Sequence, residues 1–191
     1  MPDRSIAVFP ATPERWDDVV TIFEDGGYAR KCWCAYWYLS NKDYRTGTGE
    51  AKKSHLERIV HSDARPGVIA YVENEPAGWL SIAPRTLFDR LNRSKPLAAL
   101  DGAESWAMNC FVVRKAFRRQ GLMRELIRGG IDFVASQGGK VIEAYPADVA
   151  EGSKAGNYDL FLGTSSAFET FGFKVAARRL PRRPILRLQL G

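Results

Sequence analysis

One stretch restricts what this chain can fold into more than any other. It is NCFVVRKAFRRQGLMRELIRGG, residues 109–130, where an apolar strand-like run meets an amphipathic helix-like run at Gly121. Between Val112 and Gly130 it carries six basic residues and one acid. A helix N-terminus presents unpaired backbone N–H groups and the positive end of the helix dipole. A glycine at that point lets the chain turn tightly and lets a ligand approach the backbone. Together these features can cradle a phosphate or pyrophosphate, with Arg118, Arg119 and Arg124 adding charge around it. The same residues also fit a merely solvated basic helix start. Neither the three-glycine dinucleotide fingerprint nor the Gly-Lys-Ser/Thr loop is present.

The flanking elements extend the pattern. SIAVFPA (5–11) reads as a strand, and TPERWDDVVTIFED as a helix with Thr12 as N-cap and Pro13 at its first position. Trp16, Val19, Val20 and Phe23 recur there at helical spacing. The aromatic run KCWCAYWYL follows as a loop, and GEAKKSHLERIVHSD as a second helix. GVIAYVENEPAGWLSIAP is a hairpin turning at ENEP. After a polar, partly helical insert, ESWAMNCFVV is a strand whose alternation puts Trp106, Met108, Cys110 and Val112 on one face. A helix over 121–137 turns Met123, Leu126, Ile127, Ile131 and Val134 inward and stops at the glycine pair 138–139. KVIEAYPAD is a strand, SSAFETFG a short helix, and FKVAARRL with PILRLQL a closing strand pair. The order β-α-α-β-β-β-α-β-α-β-β predicts one mixed α/β (α+β) domain over residues 1–191.

Composition narrows the partners. The net charge is +6, and 12 of the 28 Lys and Arg lie in the windows 114–128 and 174–187, a balance that favours anionic partners. No apolar run approaches the roughly 20 residues needed to span a bilayer. Three cysteines cannot form a fully paired disulfide framework, and the opening MPDRSIAVFPATPERWDD has no signal-peptide pattern. A cytoplasmic, reducing setting is the expectation, with no membrane partner.

FVVRKAFRRQGLMRELI resembles motif A of the GCN5-related N-acetyltransferase (GNAT) superfamily, in which a strand is followed by Arg/Gln-x-x-Gly-x-Gly/Ala and a helix. Arg118 stands at the first position, Gly121 at the glycine, and Met123 at the last position, where the family has a small residue. The hairpin with Gly78-Trp79, the strand VIEAYP and the segment FETFGFKVAARR follow the family's order from about Ile6 to Leu190. CWCAYW, GW…APR and EAYPAD together look like a bacterial branch of it.

The resemblance implies a largely antiparallel central sheet flanked by helices and acetyl-CoA, or another acyl-CoA, as co-substrate. Its pyrophosphate would lie on the turn formed by Arg118, Arg119, Gln120, Gly121, Leu122, Met123 and Arg124. Its pantetheine arm would pair with Phe111, Val112 and Val113. An amine would attack the thioester directly, with a backbone N–H near Val112 stabilising the developing oxyanion. The amine must first lose a proton. The family's late-helix Tyr is replaced here by Phe168, and its strand Glu by Ala107. The remaining candidates are Glu143 and Tyr145 on the following strand, Cys110, and Tyr158 in the loop beyond. Glu143 sits in an apolar strand, the setting that makes a carboxylate basic, but it could equally pair with Arg187 on a facing strand. Tyr145 could simply pack its ring, and water alone could carry the proton.

Trp33, Tyr36, Trp37 and Trp79 are candidate acceptor-binding residues, and core packing is the alternative for the aromatic loop. Cys32 and Cys34 lack the second Cys pair or added His of a zinc site, so no metal is expected. ARRLPRRPILRL has no recognition-helix or stacking signature, so a charged strand edge is preferred to nucleic-acid binding. The acceptor is then a small-molecule or peptide amine, with no nucleic acid, and a homodimer is compatible. The rival reading is a non-catalytic acyl-CoA-binding or regulatory protein on the same scaffold.

Overall fold

The computed structural model describes residues 4–148 and 161–191. Seven strands among them form one sheet: β1 (Ile6–Pro10), β2 (Gly67–Val72), β3 (Glu75–Pro84), β4 (Trp106–Val113), β5 (Val141–Ala144), β6 (Lys174–Leu180) and β7 (Arg183–Gln189). Their order across the sheet is β1-β2-β3-β4-β5-β7-β6. Every pairing is antiparallel except β4 with β5. The expected mixed α/β fold, a largely antiparallel sheet flanked by helices, is the one observed.

Two apolar cores lie on opposite faces of this sheet. Helix α7 (Leu122–Ser136) covers one face, and Leu126, Ile127 and Val134 bury the stripe expected of them. Leu122 and Phe133 complete that stripe, while Met123 and Ile131 sit half-buried at its edge. The helix lies close to the sheet because Gly129 faces Val8, where a Cβ would come within 2.4 Å. Helix α8 (Ser165–Glu169) shares this face through Phe168, which packs on Phe111 and Phe173.

The opposite face carries α1 (Trp16–Asp25), entered through a turn that begins at Pro13. Val19, Ile22 and Phe23 are its buried residues, and Trp16 and Val20 pack around them. The run expected as an aromatic loop instead folds as two helical turns, α2 (Ala29–Cys32) and α3 (Ala35–Tyr38). They join at Trp33 and Cys34, both left-handed with φ of 47° and 52°. Helices α4 (Asn41–Thr46), α5 (Gly49–Val60) and α6 (Asp89–Arg93) complete the layer.

Strand β4 departs from the expected alternation. Ser81 pairs with Cys110 and Ile82 with Met108, so Asn109 is an extra residue with no register partner on β3. This β-bulge reverses the parity of everything after it. Trp106 and Met108 face the α7 core, as does Phe111, whereas Ala107, Cys110 and Val112 belong to the α1 side. The single face drawn through Trp106, Met108, Cys110 and Val112 is therefore split in two.

Candidate active site

The bulge sits where two parallel strands part. β4 pairs with β5 at Trp106↔Ile142, Ala107↔Glu143 and Met108↔Ala144, and no further. From Asn109 to Val113, β4 has no strand partner on its β5 side among the described residues. Beyond β5 the Ala147 N–H donates to the Gly163 carbonyl at 3.1 Å. An unpaired stretch of central strand can take up an extended chain that carries amides of its own. Asn109 is 1% exposed, yet neither atom of its side-chain amide has a partner among the described residues. Leaving a buried amide unsatisfied costs about 1–3 kcal/mol per group, which a polar ligand could recover.

At the end of β4 the chain enters the glycine turn. Gly121 is the left-handed N-cap of α7 at φ 79°, and no side chain caps the helix. A Cβ placed on Gly121 would meet nothing within 4 Å, so the space above the turn is open. Arg119 is also left-handed, at φ 62°. The nearby arginines divide by function. Arg119 and Arg124 are exposed beside the turn. Arg118 donates through Nε to the Val113 carbonyl at 3.0 Å and ties the turn to the strand. Arg114 instead pairs with Glu75 at 2.7 Å and Asp25 at 3.6 Å, and Arg128 pairs with Glu125 at 2.7 Å. Met123 packs inward, its sulfur opposite Gly163, where a Cβ would lie 3.5 Å away. The bulk that Met123 adds to the motif is accommodated by a glycine on the facing segment.

On the α1 side of the splayed strand lies a cavity of about 320 Å³. Phe23, Tyr28, Ala29, Tyr36, Trp37 and Tyr44 form much of its wall, with Cys110 and Val112 from β4. Phe161, Leu162 and Arg183 line it from the C-terminal segment. Cys32 and Cys34 also reach it, because the left-handed link between α2 and α3 turns both thiols inward. The Tyr44 hydroxyl donates to Cys32 Sγ at 3.6 Å, and Trp79 Nε1 donates to Cys34 Sγ at 3.2 Å. Burial, reinforced by neighbouring thiols, raises both the Cys32 and Cys34 pKa values. Both are therefore neutral near pH 7.

Glu143 and Tyr145 are brought together, outside the lining of that cavity. The Tyr145 hydroxyl donates to Glu143 Oε2 at 2.7 Å, and Arg187 Nη2 donates to Oε1 at 2.7 Å. Arg85 Nε lies 3.5 Å from the same carboxylate. Arg187 continues to Asp101 at 2.6 Å, and Arg85 donates to the Leu97 carbonyl at 2.6 Å. The cluster thus fastens the insert between β3 and β4 onto β5 and β7. Burial, then the Glu143 charge, raises the Tyr145 pKa, keeping the phenol protonated as a donor.

Of the aromatic residues singled out from the sequence, Tyr36 and Trp37 line the cavity. Trp33 stacks on Phe23 at 4.9 Å, and Trp79 is fully buried; both lie in the core behind the cavity. Tyr158 falls outside the described residues. Tyr28, Tyr44, Phe161, Leu162 and Arg183 escaped notice, and Phe23 was read only as part of the buried face of its helix. Of the former, Arg183 carried a signal, as part of the basic run near the C-terminus. Among the described residues no His/Cys/Asp/Glu group could hold a metal ion, and no helix is long and apolar enough to cross a membrane.

Comparison with known proteins agrees with this architecture. The profile of the acetyltransferase (GNAT) family matches residues 26–155. A GNAT-family acetyltransferase from Listeria monocytogenes superposes with a TM-score of 0.58 at 14% identity, over 98% of this chain and 100% of its own. PaiA N-acetyltransferase from Thermoplasma acidophilum, solved in complex with coenzyme A, gives 0.53 at 11% identity over 97% and 99%. YncA from Salmonella typhimurium, solved with its cofactor acetyl-CoA, gives 0.54 at 15% identity over 97% and 94%. A search of curated proteins returns no significant match.

Proposed function

The chain belongs to the acetyltransferase (GNAT) family, and from that premise we propose that it is an N-acetyltransferase, a single catalytic domain over residues 1–191. It moves an acetyl or other acyl group from acyl-CoA to the amine of a small molecule or peptide. The observation that carries this reading is the unpaired β4 edge, Asn109 to Val113, leading into the open Gly121 turn. The residues present fit acyl-CoA. The amides from Arg119 to Arg124 would take the pyrophosphate, with Arg119 and Arg124 lending charge and Arg118 bracing the turn. Phe111, Val112 and Val113 would pair with the pantetheine amides, and the orphaned Asn109 amide lies beside that path.

The acyl group would then lie against Cys110 and Val112, facing the cavity. The amine nitrogen forms its bond to the thioester carbon, an N–H near Val112 supports the oxygen, and the C–S bond breaks. The proton that leaves nitrogen ends on sulfur. Glu143 and Tyr145 act here as positioning residues: both Glu143 oxygens are engaged, and neither side chain lines the cavity. Phe168 and Ala107 lack ionisable groups at the family's usual positions, which keeps a non-catalytic acyl-CoA-binding protein as a second reading.

Acetyl-CoA is expected to raise the melting temperature, and Gly121→Asp to abolish that shift. The variant combines a left-handed φ of 79° with a carboxylate facing the pyrophosphate. The enzyme is expected to release free CoA thiol when amines are supplied, measured with a thiol-reactive chromophore. A thermal shift without thiol release from any amine would favour the second reading, and no shift with any acyl-CoA would end both.

A further inference from the structure

The walls of the acceptor cavity are selective in charge. Among its described lining residues there is no Asp or Glu, and Arg183 is the single charged side chain. The Cys32 and Cys34 thiols are held neutral by burial and offer no counter-charge to an ammonium. Arg183 is half-buried, and its guanidinium has no hydrogen bond or ion pair to a described residue. The other described arginines that are not exposed, Arg15, Arg85, Arg90, Arg114 and Arg187, are each held by side-chain hydrogen bonds. A guanidinium bordering an apolar cavity offers a planar pair of donors suited to a carboxylate.

A second cleft extends the argument. It shares Tyr36, Trp37 and Arg183 with the first cavity and adds Arg90 and Arg93. Its one acid, Asp89, is bound by Arg93 at 2.7 Å. Arg90 lies over the Tyr36 ring at 3.8 Å. The charges of the two connected spaces therefore sum to a positive potential, centred on the wall they share.

Resting on the N-acetyltransferase reading, we propose that the acceptor is an amino carboxylate with a bulky apolar body, a hydrophobic amino acid or short peptide, held by Arg183 through its carboxylate. Phe23, Trp37, Val112 and Leu162 enclose the apolar body, and the volume of about 320 Å³ has room for a side chain of leucine or phenylalanine size with the acyl group beside it. Polycationic amines are disfavoured, because no carboxylate in the described walls neutralises their charge and the Tyr36 and Tyr44 rings already carry Arg90 and Lys52. The same surroundings address the missing base. An apolar wall and a fixed positive charge both lower the pKa of a bound ammonium. The amine then reaches the thioester as the neutral nucleophile, having left its proton in solvent.

The test uses the full chain with acetyl-CoA and a graded panel of amines: phenylalanine, leucine, phenylalanyl-alanine, the amide of each, and spermidine. Amino carboxylates are expected to be acetylated, with amidation lowering kcat/KM about 10- to 100-fold, the worth of a lost charge-assisted hydrogen bond. Arg183→Leu should bring the free acids down to the level of their amides, mostly through KM, and Arg183→Lys should restore part of the loss. Neither variant should change the thermal shift given by acetyl-CoA. The ratio of free phenylalanine to the dipeptide identifies which carboxylate source the site takes. Preference for spermidine, or indifference to amidation, would overturn this proposal while leaving N-acetyl transfer intact. If no amine releases CoA thiol yet N-acetylphenylalanine still binds in an Arg183-dependent way, the transfer reading fails and the carboxylate site stands.

Discussion

Glu143 lies at the meeting point of three other side chains, and its energetics follow from that. Its carboxylate is 1% exposed and meets Arg187, Arg85 and Tyr145. Removing one partner of a buried charged cluster leaves the others uncompensated, typically at about 3–5 kcal/mol. Glu143→Gln is expected to fall near the lower end of that range, because Arg187 retains Asp101. At roughly 2–4 °C per kcal/mol for a chain of this size, the melting temperature should drop by about 6–12 °C. The pH profile of acetyl transfer should keep its shape, which a lost general base would not allow. Sequence reasoning could find Arg187, because it faces Glu143 across a strand pair. It could not find Arg85 or Asp101, since the insert carrying them folds back by a path that no local pattern encodes. Arg183 is a related case. Its basic neighbourhood was visible, but its lack of a partner is a property of the fold.

At the scale of elements, β4 is where pattern reading was most and least successful. The strand, the glycine turn and α7 were all legible, because apolar periodicity and a helix-start glycine act locally. The bulge was not, because one inserted residue leaves hydrophobicity unchanged and only reverses facing. Asn109, the single polar residue in WAMNCFVV, was its one trace. Replacing an orphaned buried amide by an apolar group of similar shape is neutral or stabilising. Asn109→Leu is therefore expected to hold or raise the melting temperature while weakening acetyl-CoA binding, measured by titration calorimetry. A fall in stability with unchanged binding would count against the amide's place beside the cofactor. The α2–α3 corner was equally hidden: left-handed Trp33 and Cys34 lie in a region that bulky residues seldom occupy. Only that corner explains why Cys32 and Cys34 face the same cavity.

Across the whole molecule, acids at or near the surface pin outlying segments to the sheet. Asp101 holds the insert through Arg187, and Asp148 holds the end of β5 through Ser165 and Arg178. The Arg187 hydrogen bonds lower the Asp101 pKa, and the Ser165 hydroxyl, then Arg178, lower that of Asp148. A carboxyl with a depressed folded pKa contributes its stability above its unfolded value and loses it as pH falls through the folded one. Stability from these two sites should thus be complete above the ordinary Asp value of 3.8 and decline below it. Acid titration followed by circular dichroism checks this, and Asp101→Asn should flatten that part of the curve. The division of labour between the faces was only partly legible. The family likeness implied a cofactor path, whereas the acceptor side is assembled from segments as distant as Phe23 and Arg183.

The extra residue in β4 also bears on how such a protein tolerates insertion and deletion. Losing one residue from a central strand ordinarily turns every later side chain to the wrong face. Here Met108 and Cys110 already belong to opposite faces, so excising Asn109 would restore plain alternation and keep both cores in frame. What should disappear with it is the bend that a bulge gives its strand, while β5 would still end at Ala144. Asn109 is thus expected to be dispensable to the folding pattern, and acetyl-CoA binding by the excised variant would report how far the bulge serves the opening beside β4.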